Sequence, residues 1–560
     1  MVKNTTIWCR AILITISSFL VFLLDAQEVN LNNIALVDAQ RTMSLLDTSK
    51  NLNSYTIRNS SVDFNANQIN WKKIKINTLS AFSILQENSN LPLGYNDGLM
   101  HPSVGKQSYY NVQLGIQWGR FTLQLAPEKV VAENFAVDGL GNDFDGSANG
   151  YPGNFWRRYY EISENIIENP NRHFTEKSDQ NFIGQSNLKF HTKNWSLGVS
   201  NENLWWGPGV HYSLVLTNNA PGFLHYTIQS RQPIQTAIGS IEAHFIGGSL
   251  KNGNLVPSEN NNPFAARWYI PKDTNNRYVT GMIITLNPKW TKNLFIGISN
   301  MAYIYERDMN GLEDATPLTN FTKFTKLKKR PALGAVFLRY ALPKDHAEVY
   351  FEYGRNDRGA TPINILYDSV ATGYVGGVRK LFLLPNSKKF GAISLNIEVV
   401  QLKMPQANLI WNANLLSKQS SWYTNSQVRQ GYTNRGQILG SNAGPGGSGQ
   451  TIHLAWVKGY NKIGIGVDRL SHNKDFYYYN YFNGLIYPGP NFKYWSDFTY
   501  TLYARLKFGN FILSSELKKT ESYNYLWTKL GSGGLYGPSD TDRFNTQLNF
   551  SLRYLFTRKF

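Results

Sequence analysis

The sequence has almost no cysteine: Cys9 is the only one in 560 residues. Cys9 precedes an apolar run from Ala11 to Leu24. A basic start comes before this run, and the candidate cleavage site Leu24-Asp25-Ala26 closes it. This pattern is typical of a cleavable export signal over residues 1–26, with the mature chain starting near Gln27. Cleavage would remove the cysteine. An exported chain without cysteine has no disulfides, thiolate chemistry or cysteine-bound metal, so backbone pairing and packing must stabilise it.

Long apolar runs are also missing. The Ala11 to Leu24 run is shorter than the ~20 residues that a membrane-spanning helix needs, and the rest of the sequence holds no better candidate. A mature protein placed in a membrane would therefore cross it with strands closed into a barrel. Aromatic residues, in contrast, are abundant, with 14 Trp, 33 Tyr and 31 Phe, more than soluble globular chains usually hold.

The C-terminal segment has the period-two alternation of a membrane-spanning strand, which needs about ten residues. One face carries the apolar side chains of Leu548, Phe550, Leu552, Tyr554, Phe556 and Phe560. The other face carries Gln547, Asn549, Ser551, Arg553, Thr557 and Lys559. The sequence therefore predicts a last strand that ends at Phe560, and such a strand resembles those that the outer-membrane barrel assembly machinery recognises.

The same alternation recurs upstream in pairs of segments joined by tight turns, such as Asn287-Pro288-Lys289, Pro343-Lys344-Asp345 and Gly509-Asn510. Around the second turn, Val336 and Val349 lie on apolar faces, whereas Glu348, Glu352 and, further on, Glu398 lie on the opposite face. Long polar connections separate the pairs, at roughly 300–330, 354–372, 401–450, 468–494 and 518–545. Alternating short and long connections predict periplasmic turns and external loops.

The predicted fold is thus all-β: a transmembrane antiparallel β-barrel of about 16–18 strands in the outer membrane of a Gram-negative bacterium. After the signal at 1–26, an N-terminal periplasmic or plug segment with the first strands covers 27–110, and the barrel covers 111–560. A helical insert is predicted at 154–169, with Asn154 as cap and Pro170 as stop. This insert, and a second helical segment within 28–54, would plug the lumen or lie beneath it, and we favour a plug.

A Trp-, Gly- and Pro-rich stretch reads Asn201-Glu-Asn-Leu-Trp-Trp-Gly-Pro-Gly209, and residues 214–223 read LVLTNNAPGF. With the pieces at 94–98, 123–128, 184–186 and 287–290, the first half of the sequence resembles the Wzi family of outer-membrane capsule-assembly proteins. The residues of the motif itself are Glu202, Trp205, Trp206, Gly207, Pro208, Gly209, Asn218, Asn219 and Pro221. The resemblance implies a barrel of about eighteen strands, occluded by helices and loops, that acts as a non-catalytic lectin and anchors capsular polysaccharide at the cell surface.

Aromatic residues of the motif and of the long connections are the candidates for glycan contact, because sugar C–H edges stack on aromatic faces. These candidates are Trp205, Trp206, Trp411, Trp422, Tyr423, Tyr477, Tyr478, Tyr479 and Trp527. The alternative is structural: the Trp205 motif would pack a loop over the barrel mouth, and the other rings would pack against each other or border the membrane. The sequence leaves both interpretations open.

The net charge of +18 suits an acidic polysaccharide partner, although basic residues that face outer-membrane lipid and lipopolysaccharide phosphates explain it equally well. No nucleic-acid-binding module accompanies the charge. The sequence also lacks Gly-x-Ser-x-Gly, His-Glu-x-x-His and Walker motifs, and residues 142–146 lack the distal Glu of a calcium loop.

We therefore predict no enzyme activity, no cofactor and no metal, although a catalytic site dispersed over several strands stays open. The alternatives to a polysaccharide-anchoring lectin are a diffusion porin and a surface-motility or secretion-associated barrel. An open lumen would indicate the porin.

Overall fold

The computed structural model describes residues 34–46, 53–59, 74–137, 154–168, 177–254, 256–257, 262–317, 330–356, 370–405, 421–482, 494–527 and 542–555. The predicted signal at 1–26, the candidate Trp411 and the terminal Phe560 lie outside these ranges.

Strands make up most of the described chain. They are β1 Ile57–Asn59, β2 Ile74–Asn88, β3 Gly105–Trp118, β4 Phe121–Leu125, β5 Glu128–Ala132, β6 Ser178–Phe182, β7 Asn187–His191, β8 Trp195–Ser200, β9 Leu204–Trp206, β10 His225–Ser230, β11 Ile234–Gln235, β12 Gly239–Leu250, β13 Arg277–Pro288, β14 Leu294–Tyr305, β15 Ala332–Leu342, β16 Ala347–Asn356, β17 Thr372–Leu383, β18 Ala392–Lys403, β19 Thr433–Asn434, β20 Gln437–Ile438, β21 Ser448–Lys458, β22 Asn461–Ser471, β23 Ser496–Phe508, β24 Phe511–Tyr523 and β25 Arg543–Leu555.

All of these strands except β1, β9, β19 and β20 close into an antiparallel barrel of 18 spanning strands. Each spanning strand pairs with the spanning strands before and after it along the chain, and β2 closes the barrel on β25 through pairs from Ser80↔Leu555 to Asn88↔Gln547. β4 and β5 together form one spanning strand, because β3 pairs with both of them. β6 and β7 form the next spanning strand, because β6 pairs with β5 and β7 pairs with β4. The predicted fold class and strand number are confirmed.

Side chains alternate along the wall as the sequence predicts. On β15, Val336 and Leu338 are exposed on the outer surface, whereas Arg339 between Leu338 and Tyr340 is buried in the lumen. Glu348 and Glu352 on β16 are buried inside as well. A barrel in lipid requires this arrangement, with apolar side chains outward and polar ones inward.

The connections also alternate as predicted. The long connections begin and end at one end of the barrel, here called the long-loop end: 89–104, 133–177, 201–224, 251–276, 306–331, 357–371, 404–447, 472–495 and 524–542. The opposite, short-turn end holds tight connections such as Pro343–Asp345 and the Gly509-Asn510 turn. The connection 201–224, which carries the Trp205 motif and is here called the motif connection, starts from the long-loop end.

Helices occupy both ends. They are α1 Ile34–Leu46, α2 Asn154–Tyr159 with a π-helical turn Tyr160–Glu164, and α3 Pro263–Ala266, α4 Leu312–Ala315, α5 Ser387–Phe390 and α6 Lys474–Phe482. Leu45 of α1 packs on the inward-facing Ala341, Leu381 and Ala392, so α1 lies inside the lumen near the short-turn end. The predicted helices within 28–54 and 154–169 are both observed. Among the described residues, no helix is long and apolar enough to span a membrane.

Candidate functional site

The motif connection folds into the lumen. Its strand β9 pairs with β1, which brings Trp206 opposite Ile57. Trp206 is 0% exposed, and its indole N–H donates to His244 Nδ1 on the wall at 3.4 Å. The guanidinium of Arg58 on β1 lies 4.7 Å from the ring centre of Trp205. Both indoles therefore serve as packing surfaces inside the barrel.

A tight turn follows the two tryptophans. Gly207 has a φ of +113°, and a Cβ at this position would lie 2.1 Å from the Ser213 Oγ. The Gly207 N–H donates to the Thr56 carbonyl at 2.8 Å. The Ser213 hydroxyl, in turn, donates to the Trp206 carbonyl and to Glu352. The motif needs glycine here because both the backbone angle and the space exclude a side chain.

Carboxylates of the wall hold the next part of the motif connection. Glu398 on β18 accepts backbone N–H groups from Val210 at 2.7 Å, His211 at 3.0 Å and Tyr212 at 2.6 Å. Its fourth donor is the Tyr350 hydroxyl at 2.5 Å. Three backbone donors on one buried carboxylate fix the position of this loop. The sequence placed Glu398 on the luminal face but gave no indication of its partners.

The remaining motif residues tie the motif connection to its neighbours. Glu202 forms a buried ion pair with Lys189 at 2.9 Å, and Pro208 accepts from the Arg41 guanidinium of α1 at 2.7 Å. Asn219 donates to the Ile438 carbonyl at 2.9 Å, and the Pro221 carbonyl accepts from the Asn434 side chain at 3.0 Å. The motif thus contacts the wall, α1 and residues 421–447 of the long connection that precedes β21.

Most candidate aromatic residues are also buried. This holds for Trp205, Trp206, Trp422, Tyr423, Tyr477, Tyr479 and Trp527. The Tyr423 ring stacks on Tyr432 with centroids 5.9 Å apart, and Trp527 packs against Phe476 at 4.8 Å. The expected exposure of these rings is not observed, because other aromatic side chains cover them. The packing alternative accounts for their positions, and their contact with glycan stays a prediction.

Tyr478 is the exception among the described candidates, with 40% of its surface exposed. Its hydroxyl lies 2.8 Å from the Tyr494 hydroxyl, and the Tyr477 ring packs 4.2 Å from Tyr494. The ammonium of Lys474 lies 5.5 Å from the Tyr494 ring centre. We call these four residues the tyrosine ledge. Sequence reasoning missed Tyr494 and Lys474, although the aromatic run Phe476 to Phe482 next to them was evident.

A cavity of about 400 Å³ lies in the lumen. It is bounded by α1, by residues 95–100, by the motif connection and by the inner face of β21 to β25 and β2. At the turn before β3, burial raises the pKa of Asp97 to about 7. Burial, and secondarily His453, lowers the pKa of His211 to about 3, so this imidazole is neutral. Sequence reasoning missed the cavity, because its lining comes from many distant segments.

Acidic and histidine side chains do not gather as metal ligands in the described ranges. Two ion pairs line the cavity: Asp38 with Lys462 at 3.0 Å and Glu516 with Lys518 at 2.9 Å. The described residues therefore offer shape and hydrogen bonds rather than a metal centre.

Together, these features define a closed β-barrel of the outer-membrane type whose lumen holds its own N-terminal helix and motif connection. The sequence model of the capsule assembly protein Wzi family matches residues 99–481. The chain belongs to the Wzi family of capsule assembly proteins, and the resemblance found in the sequence is confirmed.

Several solved structures are similar to this chain. Escherichia coli Wzi, described as an outer membrane protein involved in group 1 capsule assembly and a carbohydrate-binding β-barrel, is 12% identical, with a TM-score of 0.52 and coverage of 85% of each chain. OccAB2 of Acinetobacter baumannii is 8% identical, with a TM-score of 0.40 over 86% of this chain and 98% of its own. OccK5 of Pseudomonas aeruginosa is 9% identical, with a TM-score of 0.40 over 87% and 99%. No curated protein matches the sequence.

Proposed function

We propose that this protein is a non-catalytic outer-membrane lectin that binds and anchors capsular or other extracellular polysaccharide at the cell surface. Membership of the capsule assembly family carries the proposal. The occupied lumen supports it, because α1 and the motif connection contact the wall from inside through Arg41, Glu352 and Glu398. A diffusion porin needs an open lumen instead.

The placement in the cell follows from the same proposal. Residues 1–26 are removed on export, the long-loop end faces outward, and the short-turn end faces the periplasm. The barrel assembly machinery inserts the chain, and basic side chains near the outer boundary contact lipopolysaccharide.

Deletion of the gene tests the anchoring function. The deletion strain should synthesise polysaccharide at the normal rate but release it into the medium, and the wild-type gene should restore retention. The measurement is the ratio of cell-bound to released polysaccharide. Unchanged cell-bound polysaccharide in the deletion strain would contradict the proposal.

The tyrosine ledge is the surface that we propose for first contact with the polymer. Tyr478 offers an exposed ring face, Tyr494 and Tyr478 offer hydroxyls, and Lys474 offers a positive charge that suits an acidic glycan. Tyr478→Ala should weaken polymer binding by the purified protein about tenfold, roughly 1.4 kcal/mol. Tyr500→Ala is the matched control, because Tyr500 is similarly exposed but lies on the outer face of β23. Equal binding by the two variants would remove the ledge from the site.

A further inference from the structure

The luminal cavity has the size of a small-ligand site. Its volume of about 400 Å³ lies within the range of roughly 300–1,000 Å³ typical of such sites. Glu516 and Lys518 face the lumen from β24, yet their side chains keep 39% and 22% of their surface accessible. The cavity therefore presents reachable side chains within the barrel.

Uncharged polar residues are the most numerous class in its lining. Hydroxyls come from Thr499, Thr501, Tyr503, Ser514 and Ser551, and amides come from Asn96, Asn396, Asn442 and Asn549. Several of these residues hold a buried polar atom without a hydrogen-bond partner among the described residues, namely Asn96, Asn396, Asn442, Thr501 and Tyr503. Buried polar groups are normally paired. A ligand whose groups both donate and accept, as sugar hydroxyls do, would supply the partners after small side-chain shifts.

The charges of the lining disfavour an acidic ligand. The carboxylates are Asp38, Asp97, Glu128, Asp468 and Glu516, and the cations are Lys462, Arg505 and Lys518. Lys462 and Lys518 are already engaged with Asp38 and Glu516. The third cation, Arg505, donates to the Tyr460 carbonyl at 2.9 Å. A uronate would therefore have to displace an internal partner to reach a cation, in contrast to the net charge of +18 for the whole chain.

A smaller pocket lies next to the cavity, on the side of the long-loop end. It measures about 90 Å³ and is lined by His472, Trp495 and Trp527. Tyr95 and Asn442 line both this pocket and the cavity, and both side chains are only half-buried. They form the partition that a ligand would pass on its way from the loops into the lumen.

We propose that the luminal cavity binds an uncharged pyranose unit, such as the end or a branch of the anchored glycan, entering past Tyr95 and Asn442. This inference rests on the proposed lectin function and adds a second subsite of different charge preference to it. The ledge contacts the polymer outside, and the cavity selects a neutral unit inside.

Saturation-transfer NMR on the full chain in detergent tests the cavity. The probes are glucose, galactose, mannose and N-acetylglucosamine, with glucuronate and galacturonate as acidic counterparts. At least one neutral sugar should bind, and both uronates should bind at least tenfold more weakly than that sugar. Absence of binding by all four neutral sugars, or equal binding by a uronate, would overturn the proposal.

Two variants assign the binding to the cavity. Ser514→Trp fills the cavity and should weaken neutral-sugar binding at least tenfold, whereas Ser515→Trp, its neighbour on the outer face of β24, should leave it unchanged. If Ser514→Trp does not fold, Thr501→Val removes one unpartnered hydroxyl with little change of shape, and a loss of about threefold is expected. Unchanged binding in the cavity variant would refute the assignment.

Binding of the cell's own polysaccharide, measured in parallel, separates the two proposals. If the polymer binds but no neutral sugar does, the cavity inference fails and the lectin function stands. If neutral sugars bind in the cavity but the polymer neither binds nor is retained by cells, the lectin function fails instead.

Discussion

Arg41→Ala should release α1 from the lumen while the barrel stays folded. The Arg41 guanidinium is buried and lies 2.9 Å from Glu348, and it donates to the Pro208 carbonyl at 2.7 Å. Glu348 also meets Arg339 at 2.7 Å and Arg379 at 3.7 Å. Arg41 is therefore the member of this cluster through which α1 contacts Glu348, whereas Glu348 and the other two arginines belong to adjacent wall strands. Asp38 of α1 also contacts Arg379, at 2.6 Å.

The magnitude follows from what the substitution leaves behind. Removing one partner of a buried ion pair costs roughly 3–5 kcal/mol when the other charge is left uncompensated. Glu348 keeps Arg339 and Arg379, so the loss should lie near the lower bound, about 3 kcal/mol, including the hydrogen bond to Pro208. This cost falls on the docking of α1, because the backbone pairing of β15 to β17 does not involve it. A loss of about 3 kcal/mol lowers the docking equilibrium by more than about a hundredfold.

Single-channel conductance in planar bilayers measures the result. The wild-type barrel should stay closed or nearly so, and Arg41→Ala should open steadily, with α1 becoming accessible to protease at the short-turn end. Gln40→Ala, on the same helix, is the control for a general loss of helix stability. Large steady openings of the wild type would contradict the occluded lumen, and a closed, protease-resistant Arg41→Ala variant would refute the anchoring by Arg41.

Two further predictions concern the motif and the long-loop end. Gly207→Ala should lower the free energy of unfolding by at least about 2 kcal/mol, because it combines a strained backbone with a steric conflict. Gly459→Ala is the control and should cost only about 1 kcal/mol, because Gly459 has a φ of +59° but open space around it. Urea unfolding in detergent measures both variants. Burial raises the pKa of Asp475 to about 6, although the Met404 N–H and the Ser421 hydroxyl oppose this. Protonated Asp475 therefore stabilises the folded state, by up to roughly 3 kcal/mol. This contribution is present in full below about pH 4 and is lost as the pH rises through about 6. Protection of α6 in hydrogen exchange, corrected for intrinsic rates, should fall over that interval in the wild type and stay level in Asp475→Asn.

The wall of the barrel could be predicted from the sequence because its determinants are local. Period-two alternation places Val336 and Leu338 outward and Glu348 and Glu352 inward without knowledge of any distant contact. Turn chemistry locates the hairpins in the same way, as at Pro343–Asp345. The amphipathic helix at residue 154 was also recognisable, since its apolar spacing is a local feature.

The interior could not be predicted, because it depends on contacts across hundreds of residues. Arg41 meets Glu348, and Trp422 packs within a cluster that also holds Leu214. An aromatic residue in a polar connection has the same sequence pattern whether a glycan or another loop covers its ring. Burial of Trp422 therefore became apparent only once the 421–447 segment was seen to turn into the lumen.

The position of the motif explains why it can identify the family without marking sugar contacts. Asn218 donates to the Asn96 carbonyl at 3.0 Å, and the Gly98 N–H donates to the Asn218 carbonyl at 2.7 Å. Asn96, in turn, donates to the His211 carbonyl at 3.0 Å. The motif connection thus fixes residues 94–98, which carry Tyr95 at the partition between pocket and cavity. The buried tryptophans and glycines of the motif connection determine the positions of the side chains that face a ligand. Their replacement should therefore alter glycan binding by displacing these side chains rather than by removing direct contacts with the glycan.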